Sequence, residues 1–410
     1  MRLLTILLLA LLPNLILAAG KYPSPLPTPE TEILNIDIQS CSKSCLKEYL
    51  QNGEFFSFLV NINKNNTNEE LLTNAKILLT QLDITHIPYF LETQKSALIQ
   101  IALLFPRKTI GRYSISSTNV ILSYLFNRNQ PFNFEIFDSK SESLEDLQNT
   151  MDKITAKGYK QIIALLTYVG ANNINHLETK IPIYIPSVHS SQIAEPLMPN
   201  IIYGGISYEQ QIEKLSALNP NSTKVVSFYD EGYIGNQMNE YVLKYNLDTL
   251  YSSAFNPESA AKFPKEIKTI QSLLKNSKIF LNTPITHSSI ILSQITYNDI
   301  QINGIYSTQI NYNPSFLSIT QEKDRNNMYI ANSIAKSDSL LVEETKLLNA
   351  DLEYDWINYS TAYGVEYFYL QNIPNAKAYF KETIKNNQVE YKIDILTPKN
   401  NRFIPITNEY

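Results

Sequence analysis

Cys41 and Cys45 are the only thiols in a chain of 410 residues, and their spacing limits the chemistry open to them. A redox pair has the form C-x-x-C, and this pair is one residue longer. A zinc shell takes four ligands, and no histidine neighbours these two. If the segment is helical, residues four apart share a face at about 6 Å between Cα atoms, a distance a disulfide spans. A structural disulfide is therefore expected, and so short a loop restrains the unfolded chain little. His86, His176 and His287 are isolated, form no His-x-x-x-His pair, and are expected to be structural or exposed. There is no G-x-S-x-G elbow and no Ser-x-x-Lys accompanied by its partner motifs. Gly204-Gly205 lacks the glycine spacing and the lysine of a phosphate cradle. The sequence thus predicts no catalytic residues, no metal and no cofactor.

The bulk properties narrow the partners. Lys and Arg number 34 against 39 Asp and Glu, a net charge of −5. That balance argues against a nucleic-acid surface, which needs clustered cations. With 44% hydrophobic residues and 27 tyrosines, the chain has material for large cores. Its length predicts two or three lobes rather than one.

The start of the chain predicts where it goes. Arg2 precedes an apolar run, Leu3–Leu12, then Pro13-Asn14, Leu15-Ile16-Leu17 and the small residues Ala18-Ala19-Gly20. This order reads as a secretory signal peptide over 1–19, cleaved after Ala19. The run is shorter than the ~20 residues that span a bilayer. No cysteine lies near the exit, so neither a lipid anchor nor a stable membrane anchor is expected after cleavage. An oxidising destination is consistent with a disulfide.

Residues 20–36 carry Pro23, Pro25, Pro27 and Pro29 and read as an extended linker. Residues 37–95 read as a small helical extension, with Leu46, Tyr49 and Leu50 on one helix and Leu71, Ala75 and Leu78 on another. From about residue 96 short apolar runs alternate with helical periodicity. Ile99–Phe105, Phe132–Phe137, Gln161–Leu166, Ile181–Ile185 and Ile201–Ile206 predict strands in a first lobe over 96–205. Lys224–Tyr229, Leu250–Phe255, Lys278–Leu281 and Gly304–Thr308 predict strands in a second lobe over 206–310. Strands separated by helices of ten to fifteen residues imply an α/β fold with two parallel sheets, each covered on both faces. Near the C-terminus the pattern predicts helices over Tyr354–Tyr369 and Ala376–Lys385. A hairpin of Val389–Leu396 with Phe403–Ile406 follows, closing both lobes.

Two α/β lobes in series with a closing helix and hairpin resemble the type I periplasmic binding proteins. That fold is shared by branched-chain amino-acid-binding proteins and by the C-terminal domain of lipoprotein activators of penicillin-binding proteins. Ile101–Pro106 resembles the first strand of the latter group, and Ile181–Ser187 is similar to the fourth strand with its serine-bearing loop. Asn200–Tyr208 resembles the crossing between lobes. Tyr229–Gly235 is similar to a strand-end D-x-x-Y-G pattern stretched by one residue, and Arg402–Pro405 fits the final hairpin. The resemblance covers about residues 96–410.

The resemblance implies a ligand between the lobes, contacted by Ser187, Val188 and His189 of the first lobe and Tyr233 of the second. It also implies that the loops Arg107–Ser116, Tyr168–Asn173 and Thr283–Ser288 face the same cleft. Each residue has a plainer reading. Ser187 satisfies amides at a helix start, His189 caps a backbone group, and Tyr233 packs over a loop. The acid for a ligand ammonium group is sought among Asp230, Glu231 and Asp299. Two functions remain open. One is a non-enzymatic periplasmic protein that uses the fold as an interaction or scaffold module for an envelope protein partner. The other is a solute-binding receptor for a small molecule such as an amino acid, serving a transporter or sensor.

Overall fold

The computed structural model describes residues 41–63, 65–82, 99–218, 224–373 and 375–406. The expected signal peptide and linker, and His86, lie outside these residues. The chain divides into two compact units, Met1–Ser96 and Ala97–Tyr410.

Among its described residues the first unit holds three helices: α1 (Lys43–Asn52), α2 (Phe55–Asn61) and α3 (Glu69–Gln81). Gly53, at φ 76°, ends α1 with a left-handed turn that other residues adopt at a cost. Leu46, Phe58, Leu59, Leu71 and Ala75 are fully buried and form the unit's core. Cys41 and Cys45 are bridged, with Cα atoms 5.6 Å apart. The bridge does not lie along one helical face, because Cys41 precedes the helix and Ser42 is its N-cap. The buried Asn66 fastens the polar loop by donating to the carbonyls of Cys41 and Asn61, each at 2.8 Å.

The second unit opens with β1 (Ile99–Phe105), α4 (Arg107–Ile110), α5 (Tyr113–Asn127), β2 (Phe132–Asp138) and α6 (Leu144–Ala156). It continues with β3 (Gln161–Ala164), α7 (Tyr168–Ile174), β4 (Ile183–Ile185) and β5 (Ile201–Tyr203). The second lobe runs α8 (Tyr208–Ser216), β6 (Val225–Asp230), α9 (Tyr233–Tyr245), β7 (Thr249–Phe255) and α10 (Pro257–Leu274). Then come β8 (Lys278–Asn282), α11 (Ile285–Tyr297), β9 (Gly304–Ser307), α12 (Pro314–Ile319) and β10 (Met328–Asn332). The chain ends with α13 (Ser339–Leu347), α14 (Trp356–Asn372), β11 (Thr383–Lys385), β12 (Gln388–Glu390), β13 (Asp394–Lys399) and β14 (Arg402–Pro405).

Two seven-stranded sheets result, ordered β11-β12-β5-β4-β3-β1-β2 and β14-β13-β10-β9-β8-β6-β7. Their central strands are parallel and covered on both faces, which explains the unbroken apolar runs. On β1, Ile99, Ile101 and Leu103 pack into the core with α5 and α14, while Ala102 and Leu104 pack toward α6. On β8, Ile279 and Leu281 face the core with α10 and α11, and Phe280 faces the opposite one. Helix α13 returns to the first lobe, so the chain crosses between lobes after β5, after β10 and after β12.

The C-terminal segment differs from its sequence pattern. No helix forms over Ala376–Lys385, because the Tyr379 and Phe380 N–H groups donate to the Glu366 carboxylate at 2.8 and 2.9 Å. The expected single strand Val389–Leu396 is split, with β12 joining the first sheet and β13 the second. Glu366 also binds Arg128 at 2.7 Å, with both side chains almost completely buried. Removing one partner of such a pair leaves a charge without compensation. Arg128→Met is therefore expected to cost about 3–5 kcal/mol in urea unfolding. Lys262→Ala, which breaks a solvent-exposed pair with Glu258, should leave the curve unchanged.

Candidate functional site

Strand ends of both sheets point into the space between the lobes, where open α/β sheets generally hold ligands. A cavity of about 470 Å³ lies there. The first lobe contributes Ile110 and Tyr113 from the region after β1, Leu166, Thr167 and Tyr168 from β3–α7, and Ser187, Val188, His189, Ser191 and Gln192 after β4. The second contributes Tyr208 and Glu209 of α8 with Tyr233, Ile234, Gln237 and Tyr241 of α9. Trp356 and Ile357, at the start of α14, complete the lining.

Close backbone approaches place these groups. A Cβ on Gly205 would lie 2.3 Å from the backbone of Val188 and His189, so glycine lets the interlobe crossing run against that loop. A Cβ on Gly235 would lie 1.9 Å from the Asp230 carbonyl oxygen. Glycine there lets α9 start close over the end of β6. Thr167, the N-cap of α7, is held by Glu142, to which its N–H donates at 2.7 Å and its hydroxyl at 2.5 Å.

Ser187, His189 and Tyr233 all line the cavity. The Ser187 hydroxyl donates to the Leu166 carbonyl at 2.6 Å and accepts from the Leu166 N–H at 3.4 Å. It stitches the end of β4 to the chain leaving β3, so its one proton is already used. His189 caps the short 3-10 turn Ser190–Gln192, its Nδ1 accepting from the Ser191 N–H at 3.2 Å. The Ser191 hydroxyl lies 2.8 Å from the same nitrogen, which places the ring proton on Nε2. Burial pushes the imidazolium down to about 4, against a smaller opposing pull from Glu209. Tyr233, half exposed, stacks on Tyr168 of the other lobe with ring centroids 4.2 Å apart and planes 13° from parallel. A second direct link between lobes runs from Gln192 Nε2 to Gln237 Oε1 at 3.2 Å.

The remaining expectations divide. Residues of the stretches after β1 and β3 reach the cavity, although these segments are helical rather than loops. Thr283 and Ser288 do not line it. They are buried and hydrogen-bonded to each other at 2.8 Å inside the second lobe. Asp230 and Glu231 also lie outside the lining, accepting from the Gly232 N–H and the Asn256 amide, and Asp299 lies beyond the far end of α11. The acid in the cavity is Glu209, held below the usual carboxylate range mainly by a hydrogen bond from Lys244. Sequence reasoning missed it, because a glutamate in the first turn of a helix reads as an ordinary dipole partner. Tyr208, Tyr241 and Trp356 were missed too, since they come from three separate helices.

No family model matches the chain, and no curated protein sequence matches it. Solved structures do. One is an extracellular ligand binding receptor from Desulfohalobium retbaense, with a TM-score of 0.57 at 10% identity over 76% of this chain. The chain spans only 60% of that receptor's length. A branched chain amino acid ABC transporter periplasmic ligand-binding protein from Burkholderia xenovorans gives 0.57 at 11% identity, over 75% of this chain and 94% of that one. The LpoA C-domain from Haemophilus influenzae, a regulator of PBP1A, gives 0.50 at 14% identity, over 75% and 100%. The chain therefore has the type I periplasmic-binding-protein fold.

The His189 shift carries a signed expectation. The folded state keeps the ring neutral down to about pH 4, whereas the unfolded chain takes up its proton near 6.5. The stability this contributes is complete above about 6.5 and is lost as pH falls toward 4. His189→Asn keeps a capping side chain and removes the titration. The stability difference between wild type and variant, measured by urea unfolding, should change steadily against wild type across that window. A difference independent of pH would contradict it.

Proposed function

We propose that the chain is an exported, non-enzymatic binding protein of the bacterial periplasm that encloses a small, largely apolar solute between its lobes. The observation that supports this most is the interlobe cavity of about 470 Å³, lined by side chains of both lobes. Its size falls in the range of small-molecule sites, and an apolar lining with a few polar groups is their usual character. Ser187, His189 and Tyr233 are the residues we assign to ligand contact, with Ser187 limited to accepting. The non-enzymatic reading rests on the same hydrogen bonds. Ser187 is bonded to backbone rather than to His189, so no nucleophile–base pair forms. Export rests on the pattern of residues 1–19. No helix among the described residues is long and apolar enough to cross a membrane.

One observation favours the scaffold alternative. The Tyr168–Tyr233 stack and the Gln192–Gln237 hydrogen bond join the lobes directly, as a fixed module presented to an envelope protein partner requires.

The chain has a single tryptophan, Trp356, and it lines the cavity. Its fluorescence therefore reports occupancy without competing indoles. A panel of small apolar and aromatic solutes should include compounds that shift its emission. The same compounds should raise thermal stability, by about 2.7 kcal/mol at a hundredfold excess over Kd. Tyr233→Ala is expected to weaken binding about fivefold, the worth of one aromatic contact of ~1 kcal/mol. A panel that moves neither signal would sink the receptor reading in favour of the scaffold.

A further inference from the structure

Glu209 is the one charged side chain among the described residues lining the cavity, and no lysine or arginine joins it there. Its Oε1 accepts from Lys244 at 2.5 Å and from the Tyr245 hydroxyl at 3.1 Å. Both partners hold the carboxylate from outside the cavity lining. Oε2 has no hydrogen-bond partner among the described residues.

The same cavity is lined by six aromatic side chains: Tyr113, Tyr168, Tyr208, Tyr233, Tyr241 and Trp356. The face of an aromatic ring carries negative potential and attracts a cation. Apolar side chains such as Ile110, Leu166, Ile234 and Ile357 fill the rest of the wall.

We propose that the cavity takes an organic cation, a protonated amine or quaternary ammonium on an apolar body, with its charge between Glu209 Oε2 and the aromatic rings. The proposal rests on the reading of this cavity as a ligand site and names the class of ligand. It also separates the site from one built for an α-amino acid. A ligand carboxylate would find no cationic side chain in the lining; the donors there, such as the His189 Nε2–H and the N–H groups at the uncapped start of α9, are neutral.

Three compounds of one shape test it: 2-phenylethylamine, 2-phenylethanol and phenylalanine, each titrated against Trp356 fluorescence and by calorimetry. The amine is expected to bind about tenfold or more tightly than the alcohol, as for a desolvated cation–aromatic contact. Glu209→Gln should remove most of that margin while leaving the alcohol's affinity unchanged, which also shows that the variant is folded. Equal affinity for amine and alcohol would overturn the proposal and leave the cavity reading intact. So would a preference for phenylalanine, or a margin that survives Glu209→Gln. If none of the three, nor any solute of the wider panel, moves the Trp356 signal, both readings fall together.

Discussion

The ion pair between Arg128 and Glu366 is the constraint on which the rest of the two-lobed unit depends. Arg128, at the C-terminal end of α5, places its guanidinium 3.6 Å from the ring centre of Tyr379, with Tyr124 and Tyr369 within 5 Å. Its Nη1 donates to the Lys377 carbonyl at 2.7 Å. Glu366, on α14, accepts from Arg128, from the Tyr124 hydroxyl and from two backbone N–H groups. Every strong polar group at this buried point is therefore matched, as burying a full charge requires. A buried pair of this kind gives little net stability over an apolar substitute. What it does here is fix one arrangement: α14 against α5, and the segment 377–380 against both.

That arrangement reaches the cleft in two ways. Helix α14 starts at Trp356, so its seating sets where the indole and Ile357 meet the cavity. The segment pinned by Glu366 leads through Glu382, which accepts from the Tyr359 hydroxyl at 2.5 Å, into β11 and β12 on the first sheet. The chain then crosses to β13 on the second. At the crossing, the Tyr391 and Ser360 hydroxyls both donate to the Gly204 carbonyl, at 2.6 and 2.8 Å. The first interlobe connection is thus bonded to α14, and the third to the first. Any relative movement of the lobes must be absorbed in the few residues between such anchors, which is how hinges in this kind of fold work.

The fold was largely legible because burial on both faces leaves an unmistakable trace. Ile99–Phe105 and Lys278–Leu281 read as strands whatever their neighbours. The C-terminal segment was not legible, because its conformation is decided by a carboxylate far from it in sequence. Ala376–Lys385 has helical spacing, but Glu366 captures the N–H groups of Tyr379 and Phe380, and local propensity yields to that tertiary bond. The same limit applies to the cavity. Ser187, His189 and Tyr233 stand in loops or at helix starts with recognisable patterns. Glu209, Tyr241 and Trp356 carry no local signature and acquire a common role only when α8, α9 and α14 converge.

The polar groups of the two lobes are used differently, and this gives the cavity a direction. In the first lobe they serve the backbone: Ser187 bridges two strand ends, Thr167 is tied to Glu142, and the Nδ1 of His189 caps a turn. In the second lobe Glu209 Oε2 has no hydrogen-bond partner among the described residues, and α9 starts with no side-chain cap. A ligand entering this space therefore meets a first lobe whose donors and acceptors are mostly satisfied internally, and a second lobe that still has some to give. The physical consequence is orientation. Under the proposed reading, the polar end of a bound molecule would lie on the side of α8 and α9, with its apolar body against Ile110, Leu166 and Val188. On that reading the hydroxyl-bearing loop serves chiefly as the frame of the cavity, and the residues proposed to discriminate come from helices opposite it.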